Sequence, residues 1–318
     1  MSLEQWLAAQ AAERARAGLT RALHPRGPGG TDINLAGNDY LGLAADPRVA
    51  EAAARAARTW GAGAAASRLV TGTLELHTTL EHELASFCGH QAALVFSTGY
   101  QANLGVVTAL SGEDTLIVSD AHVHASLVDA CRLARGRVAV VPHNDVDAVT
   151  TALRDRRESR ALVLCESIYS VLGDAAPLTA LSSACRRHDA TLVVDEAHGL
   201  GVAGRRGEGR VAALGLSDAS HVVVTLTLSK SLGSQGGAVL GTAMLTEHMV
   251  NRARPFIYDT GLAPAAAGGA LEALRILDAE PALPARARAC TVALADAVRV
   301  DPPAGAVLSL PMNGPHEA

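Results

Sequence analysis

The sequence lacks the features that mark membrane, secreted and nucleic-acid-binding proteins. No apolar stretch approaches the roughly 20 residues that a helix needs to cross a bilayer. The N-terminus, Met-Ser-Leu-Glu-Gln, has neither the basic nor the apolar region of a secretory signal. With a formal net charge of −5, the chain has no excess of basic residues to attract nucleic acid. We therefore expect a protein that neither spans a membrane nor binds nucleic acid.

Cysteine is scarce and widely spaced, which disfavours a disulfide framework and a cysteine metal site. None of the five cysteines forms a C-x-x-C pair, and most lie in apolar stretches. We expect buried, reduced thiols in a cytoplasmic protein. The cysteines are Cys88, Cys131, Cys165, Cys185 and Cys290.

The sequence does contain a series of short apolar runs rich in β-forming residues. The chain is 49% apolar and 19% charged, as is typical of compact globular proteins. Near-continuous apolar character indicates strands buried on both faces, as in a mostly parallel sheet. The intervening segments are long enough for helices, so the pattern predicts a three-layer α/β domain. The runs are Ala93–Phe96, Thr115–Val118, Arg137–Val141, Ala161–Cys165, Thr191–Val194, Val222–Leu226 and Ala238–Leu240.

The remaining segments divide around this α/β domain. Leu3, Trp6 and Leu7 indicate an amphipathic first helix. The predicted domains are an N-terminal helix and arm over residues 1–45, a large α/β domain over 46–262 and a partial C-terminal domain over 263–318. Helices are predicted over Val146–Arg157, Leu178–His188 and Ala265–Leu277, with a connector over Pro255–Pro264.

Ligands of open α/β sheets bind beyond the carboxyl ends of the strands, so polar residues there are the first candidates. Ser97–Asn103 follows one apolar run and opens a helix, whose N-terminal N–H groups suit a phosphate. Gly99 permits a tight turn there. The segment matches neither G-x-G-x-x-G nor G-x-x-x-x-G-K-[ST], which disfavours a dinucleotide or P-loop site. Small residues are also ordinary at such turns, so this segment alone does not establish a phosphate site.

A carboxylate follows the most apolar run. Asp195 ends this run, where an unpaired charge is costly to bury. A protonated ring nitrogen of a ligand would pair with it, and His198, three residues on, could reach the same ligand. A carboxylate that caps the next turn is the structural alternative.

Two further strand ends carry a lysine and a pair of histidines. Lys230 lies among small residues after Val222–Leu226. Such a lysine is easily desolvated, which lowers the pKa of its amine and makes it a nucleophile towards aldehydes, although a surface lysine is the alternative. His122 and His124 could bind a metal, but no further ligand spacing supports this. A histidine stacked on a flat ligand is the favoured interpretation.

Together these strand ends describe a site for a phosphorylated pyridine aldehyde. A phosphate-binding turn, a histidine, an aspartate and a lysine follow one another along the chain. The lysine would form an imine, the aspartate would keep the pyridine nitrogen protonated, and the helix N-terminus would hold the phosphate. The combination is more specific than any of its members.

With these motifs in this order, the sequence resembles the α-oxoamine synthases. These are fold-type I enzymes that use pyridoxal 5′-phosphate (PLP) to condense an amino acid with an acyl thioester. The resemblance runs from about Leu19 into the C-terminal region. Over Thr227–Gly237 in particular, the sequence resembles the members that join L-alanine to a pimeloyl thioester in biotin biosynthesis. The landmarks are Asn38–Leu43, Ser67–Gly72, His77, Ser97–Tyr100, His124–Leu127, Glu166–Ser170, Asp195–Gly199 and Thr227–Lys230.

The resemblance implies a role for particular residues. Lys230 would carry PLP as a Schiff base, and Asp195 would pair with the pyridinium. His198 would bond the phenolic oxygen of PLP and His124 would stack on its ring, and these four are the implied catalytic residues. The other implied PLP contacts are Thr98, Gly99, Tyr100, Ser170, Thr227 and, across a dimer interface, Thr260. The implied substrate contacts are Arg21 and Asn38.

The implied reaction is a decarboxylative condensation in a homodimer with active sites at its interface. Lys230 would remove the α-proton of L-alanine as a general base. The resulting carbanion would attack the pimeloyl thioester, supplied by coenzyme A or a carrier protein, and carbon dioxide would leave.

The sequence departs from the family pattern at its C-terminal end. Members of the family continue into a domain of several strands and helices, whereas this chain ends at Ala318, soon after the apolar run Ala306–Leu310. The expectation is a C-terminally shortened chain with an incomplete small domain, without the arginine that binds the substrate carboxylate. Two alternatives therefore stay open. One is a catalytically silent homologue that still binds PLP, and the other is a sister enzyme that uses glycine, serine or another acyl-CoA.

Overall fold

The structure is a computed structural model that describes residues 1–27 and 33–314. It divides into two compact units, one of Met1–Gly37 with Ser309–Ala318 and one of Asn38–Leu308. The first unit contains helix α1 (Leu3–Arg16), whose first turn is capped by Ser2 in a capping box with Gln5. The predicted first helix is therefore present, but none of its residues is buried.

The described residues contain seven strands, which form one mixed sheet. The strands are β1 (Ala92–Phe96), β2 (Thr115–Asp120), β3 (Arg137–Val141), β4 (Arg160–Glu166), β5 (Thr191–Asp195), β6 (Val222–Thr227) and β7 (Gly237–Gly241). Their order in the sheet is β1-β7-β6-β5-β4-β2-β3. Only β7 runs against its neighbours, β1 and β6, and the other neighbouring pairs are parallel. Each apolar run predicted as a strand is a strand.

Helices cover both faces of the sheet. In the second unit they are α2 (Pro47–Trp60), α3 (Glu75–Cys88), α4 (Gly99–Leu110), α5 (Ala125–Leu133), α6 (Val146–Arg154), α7 (Leu178–Arg187), α8 (Arg210–Ala213), α9 (Ala243–Arg252), α10 (Arg254–Ile257), α11 (Pro264–Ala279) and α12 (Leu283–Val298). Successive strand residues point to opposite faces, so Val194 packs in one core cluster with residues of α3 and α11, whereas Val193 packs in another with residues of α4 and α5. The predicted three-layer, mostly parallel α/β fold is confirmed.

Because only β7 is reversed, the carboxyl ends of the other six strands lie at one edge of the sheet. Glu166 at the end of β4 is in register with Asp195 at the end of β5. Gly237 at the start of the antiparallel β7 pairs with the last residue of β1 on one side and of β6 on the other. A Cβ atom at Gly237 would lie 2.4 Å from the backbone nitrogen of Gly99, so glycine is required where the turn after β1 passes β7.

Several predicted boundaries differ from the structure. Helix α6 ends at Arg154, three residues before the predicted Arg157. The predicted connector from Pro255 contains most of the short helix α10. Ala306–Leu310 forms neither helix nor strand. The domain boundaries drawn from the sequence stay predictions.

Four of the five cysteines are buried and all five are free thiols, but Cys290 on α12 is exposed. The prediction of buried thiols was therefore wrong for Cys290, which lies on a helix with few buried residues. Among the described residues, no helix is long and apolar enough to cross a membrane.

Candidate active site

A pocket of about 230 Å³ opens at the carboxyl edge of the sheet. It is lined by residues at or after the carboxyl ends of β1, β2, β4, β5 and β6, as expected for an open α/β sheet. Eight predicted site residues line it, namely Thr98, Gly99, Tyr100, His124, Asp195, His198, Thr227 and Lys230.

The turn after β1 forms one wall of the pocket. Thr98 is the N-cap of α4, and its hydroxyl accepts a hydrogen bond from the backbone N–H of Gln101 at 3.0 Å. The first turn of the helix therefore directs N–H groups and a partial positive charge towards the pocket, which favours an anion. Gly99 packs closely against β6, since a Cβ atom there would lie 3.0 Å from Cβ of Thr227.

Lys230 lies at the end of a hydrogen-bonded chain of side chains. Its Nζ is 2.7 Å from Nε2 of His198, and Nδ1 of His198 is 2.7 Å from the hydroxyl of Tyr40. The Tyr40 hydroxyl donates to Oδ1 of Asn38 at 2.9 Å. Because that hydroxyl has a single proton, Nδ1 of His198 is the donor to Tyr40, which leaves Nε2 to accept from Lys230.

Burial lowers the pKa values of both Lys230 and His198, which favours the neutral form of each side chain. Burial lowers the pKa of Lys230, although the carboxylates of Asp195 and Glu166 act in the opposite direction. Burial, the Lys230 charge and His124 together lower the pKa of His198 to about 3. His198 is therefore neutral near pH 7. Lys230 is also the only lysine in the sequence, which otherwise uses arginine as its basic residue.

Asp195 is a buried carboxylate with two fixed hydrogen-bond donors. Its Oδ2 accepts from Nδ2 of Asn103 at 2.7 Å, and its Oδ1 accepts from the backbone N–H of Ala197 at 2.8 Å. Thr225 in turn donates to Oδ1 of Asn103 at 2.6 Å, which fixes the orientation of the amide. The bond from Ala197 is the turn cap considered from the sequence, and it coexists with the position of Asp195 in the pocket.

The two histidines after β2 have different surroundings. His124 caps α5, lies 2.7 Å from the hydroxyl of Ser126 through Nδ1, and lines the pocket. His122 instead stacks on His143, with ring centroids 4.3 Å apart. In the described part of the chain, no three His, Cys, Asp or Glu side chains are arranged to hold a metal ion.

Sequence reasoning assigned no role to several residues that the fold brings to the pocket. Burial, with the charge of Asp195, raises the pKa of Glu166 to about 8. Glu166 ends an apolar strand as Asp195 does, so the same argument could have selected it. Asn103 lies one helical turn after Gly99, and that spacing was the available signal. The composition also singles out Lys230, which is the only lysine of the sequence.

Four predicted site residues do not line the pocket. Ser170 donates its backbone N–H to Oε2 of Glu166 at 3.0 Å. Asn38 contacts the pocket residues through Tyr40. Thr260 is exposed and bridges to Ser67, and Arg21 belongs to the other unit. The roles of all four stay predictions.

The donors and acceptors of this pocket fit PLP. The buried carboxylate of Asp195 suits a protonated ring nitrogen, and the turn after β1 suits a phosphate. Lys230 lines the same pocket, and burial shifts its amine towards the neutral, nucleophilic form.

Comparisons with known proteins give the same assignment. Residues 31–310 match the family model "Aminotransferase class I and II". The 8-amino-7-oxononanoate synthase of Mycolicibacterium gilvum is 55% identical over 314 residues, which are 98% of this chain and 83% of that protein. The enzyme of the same name from Mycolicibacterium smegmatis is 55% identical over 317 residues, 98% of this chain and 82% of that protein.

Solved structures of related enzymes share the fold. A serine palmitoyltransferase from S. paucimobilis, with PLP and myriocin bound, has a TM-score of 0.86 at 30% identity, covering 94% of this chain and 79% of that one. The 8-amino-7-oxononanoate synthase of Francisella tularensis has a TM-score of 0.73 at 25% identity, and the match covers 88% of this chain and 79% of that one.

Proposed function

This chain belongs to the aminotransferase class I and II family, and we propose that it is a PLP-dependent enzyme that makes 8-amino-7-oxononanoate. The substrates are L-alanine and a pimeloyl thioester, and carbon dioxide is lost. The observation that carries the proposal is the meeting of Lys230, His198 and Asp195 in one pocket. It occurs in a chain 55% identical to proteins of that name over nearly its whole length.

PLP supplies an electrophilic carbon for amines and a ring that can take up the electron pair released at the substrate α-carbon. Lys230 would be its point of attachment and Asp195 the partner of its ring nitrogen. His124 would lie against the ring, His198 would meet its phenolic oxygen, and Thr98–Tyr100 with Thr227 would hold its phosphate.

Lys230 is suited to accept and return a proton. Burial lowers the pKa of its amine, which favours the neutral form that has a free electron pair at Nζ. Nε2 of His198, at 2.7 Å, accepts a hydrogen bond and orients that nitrogen. The lowered pKa of His198 matters here, because a charged imidazolium would repel a protonated lysine.

Asp195 lies buried in the pocket with both of its oxygens held by donors. Asn103 donates to Oδ2 and the Ala197 N–H donates to Oδ1, which fixes the orientation of the carboxyl group. Burial, with the charge of Asp195, raises the pKa of Glu166 to about 8, so Glu166 stays protonated near pH 7. Asp195 would therefore meet the ring nitrogen of PLP, while Glu166, in register with it, offers a proton.

The assembly and location of the enzyme belong to the same proposal. We propose a homodimer with the active site at its interface, where Thr260 of one subunit contacts the phosphate held by the other. Arg21 and Asn38 are proposed to contact the substrates. The free thiols are typical of a reducing compartment, which supports a cytoplasmic location.

One observation favours a second candidate, a sister enzyme with another amino acid and acyl chain. The serine palmitoyltransferase superposes with a higher TM-score than the synthase from F. tularensis, 0.86 against 0.73. Backbone similarity is less specific than sequence within one fold. The 55% identity to the mycobacterial synthases therefore favours L-alanine and pimeloyl thioester.

The sequence allows an unusually specific test of the cofactor site. PLP is added to the purified chain, the complex is reduced with borohydride, and the labelled peptide is identified by mass spectrometry. Since Lys230 is the only lysine, label on that residue and its loss in Lys230→Ala are expected. Label at the N-terminal amine alone would contradict the proposed site.

A competition assay tests the substrates. L-Alanine, glycine and L-serine are supplied with pimeloyl-CoA, a pimeloyl carrier protein or palmitoyl-CoA, and carbon dioxide release is measured. Preference for L-alanine with a pimeloyl thioester supports the proposal, and preference for L-serine with palmitoyl-CoA supports the sister enzyme. Labelling of Lys230 without turnover on any pair would identify a silent homologue that binds PLP.

A further inference from the structure

A second polar cluster lies at the same sheet edge, next to the pocket but outside it. We call Asp120, His143 and Asp174 the loop cluster, because they lie at the end of β2 and in the segments that follow β3 and β4. None of them lines the pocket. The proposed function leaves their roles unexplained.

Asp120, at the end of β2, is the centre of the loop cluster. It is buried, and its Oδ1 accepts from the backbone N–H of His122 at 2.8 Å. Its Oδ2 accepts from the backbone N–H of Asn144 at 2.8 Å. One carboxylate therefore binds both its own turn and the turn after β3.

His143 extends this contact to a third segment. Its Nδ1 lies 3.0 Å from Oδ1 of Asp120 and its Nε2 lies 2.9 Å from Oδ2 of Asp174. Neutral imidazole has one N–H, so it can donate to only one of these carboxylates, whereas imidazolium donates to both. Nδ2 of Asn144 also donates to Oδ2 of Asp174 at 2.8 Å. The geometry suits a His143 imidazolium that donates to the carboxylates of Asp120 and Asp174.

Both segments that His143 joins continue into the pocket. The turn held by Asp120 leads to His124, which lines the pocket. The segment held by Asp174 begins at Glu166, another pocket residue. Within it the backbone N–H of Tyr169 donates to the carbonyl of Asp174 at 2.9 Å. Displacement of either segment would therefore move a side chain that faces the cofactor position.

We propose that His143 is a positioning residue of the active site, a cation between Asp120 and Asp174 that fixes the turn carrying His124 against the segment carrying Glu166. This inference rests on the proposed function for its consequence, because cofactor retention depends on where His124 lies. The bridge itself is a property of the chain without cofactor.

The charge of His143 makes this bridge pH-dependent. The groups that face His143 are Asp120 from β2, His122 stacked on its ring, and Tyr169 and Asp174 from the segment after β4. Burial alone would lower the pKa of His143, but the two carboxylates outweigh it and raise the pKa above its ordinary value. The bridge is therefore complete below about pH 6.5, the ordinary histidine pKa, and is lost as pH rises through the raised value.

Hydrogen exchange on the cofactor-free chain tests the bridge. Protection of the His122 and Asn144 amides, corrected for intrinsic exchange rates, is expected to fall at least about threefold from pH 6 to pH 9. In His143→Gln that protection should be low at both pH values, and in Asp174→Asn intermediate. His82→Gln, at an exposed histidine on α3, serves as the control and should behave as the parent. Protection that is independent of pH and unchanged in Asp174→Asn would overturn the bridge.

A double-mutant cycle on PLP binding tests the positioning role. His143→Gln is expected to raise the dissociation constant of PLP about tenfold, with less than about a twofold effect in a His124→Ala background. Equal effects in both backgrounds would mean that His143 acts through general stability, and would overturn the role. If the parent binds no PLP, the proposed function fails, while the exchange measurement still decides whether the bridge exists.

Discussion

His198 and His143 lie at the same edge of one sheet, yet their environments favour opposite charge states. The pKa of His198 is lowered to about 3, whereas that of His143 is raised. Both rings contact side chains through both nitrogens, so the number of hydrogen bonds does not explain the difference.

The partners explain the difference. His198 is deeply buried beside the Lys230 amine and the Tyr40 hydroxyl, and burial together with the Lys230 charge disfavours a positive charge on its ring. His143 is less deeply buried and lies between two carboxylates, which stabilise a cation. The neutral ring of His198 accepts a hydrogen bond from Lys230, which must lose its proton in the proposed reaction. His143, in the proposed bridge, joins Asp120 to Asp174 as a cation. Four predictions test this contrast, beginning with the largest effect.

Replacing Lys230 by alanine should abolish turnover, by at least about a thousandfold, because no other side chain supplies the amine. It should also raise the pKa of His198, since one of the charges that depress it is removed. Burial remains, so the pKa should stay below the ordinary value. NMR titration of labelled histidine gives the pKa. Lys230→Arg is the matched control, because it keeps the charge and so keeps the His198 pKa low while also losing turnover.

Replacing Asp120 by asparagine should lower the free energy of unfolding at pH 7 by about 2 kcal/mol, since the bridge loses a charge. Burial opposes ionisation of Asp120, but donors from Asn144, His143 and His122 outweigh it and lower its pKa. The stabilisation is present above the unfolded value near pH 4 and is lost as pH falls through the folded value. Denaturant unfolding measures it. Asp155→Asn, at an exposed acid, should change the stability by less than about 0.5 kcal/mol.

Replacing Glu166 by glutamine should stabilise the cofactor-free chain at pH 8 to 9, by about 1 kcal/mol. The folded-state pKa of Glu166 is raised to about 8, so the native state holds a proton that the unfolded chain releases near pH 4.5. The parent should therefore lose stability relative to the variant as pH rises from about 5 to about 8. Melting temperatures across this range measure the slope. The same slope in parent and variant, with Glu113→Gln as the exposed control, would show that Glu166 is ionised throughout.

Replacing His122 by alanine should have the smallest effect, a loss of about 0.5 kcal/mol in the free energy of unfolding. The reason is that only one ring contact is removed, the stacking of His122 on His143 at 4.3 Å and 17° between the rings. Denaturant unfolding at pH 9 measures the loss. A loss as large as that in Asp120→Asn would contradict the minor role of this contact.

The fold could be predicted because its signals are local. Runs such as Ala161–Cys165 are apolar throughout, and that pattern is typical of strands covered on both faces. The end of α6 was placed three residues too late, because Arg154 and Arg157 both suit the last turn of a helix. The exposure of Cys290 could not be predicted, since it depends on what packs against α12.

The candidate site was predicted in part. Lys230, Asp195, His198 and His124 were selected because each follows an apolar run, and the fold brings all four into one pocket. Tyr40 was not selected, because its contact with His198 spans 158 residues and leaves no local pattern. The loop cluster was missed for the same reason, since Asp120, His143 and Asp174 are 23 and 31 residues apart.

The sequence by itself determined the strands, their mostly parallel arrangement and the order in which the polar residues follow them. These depend on hydrophobic pattern and side-chain type, which are written along the chain. Only the tertiary structure decided that the pKa of His198 is lowered, that the pKa of His143 is raised and that Glu166 keeps its proton near pH 7. Protonation depends on burial and on charges a few ångströms away in space, and the chain brings those charges together only by folding.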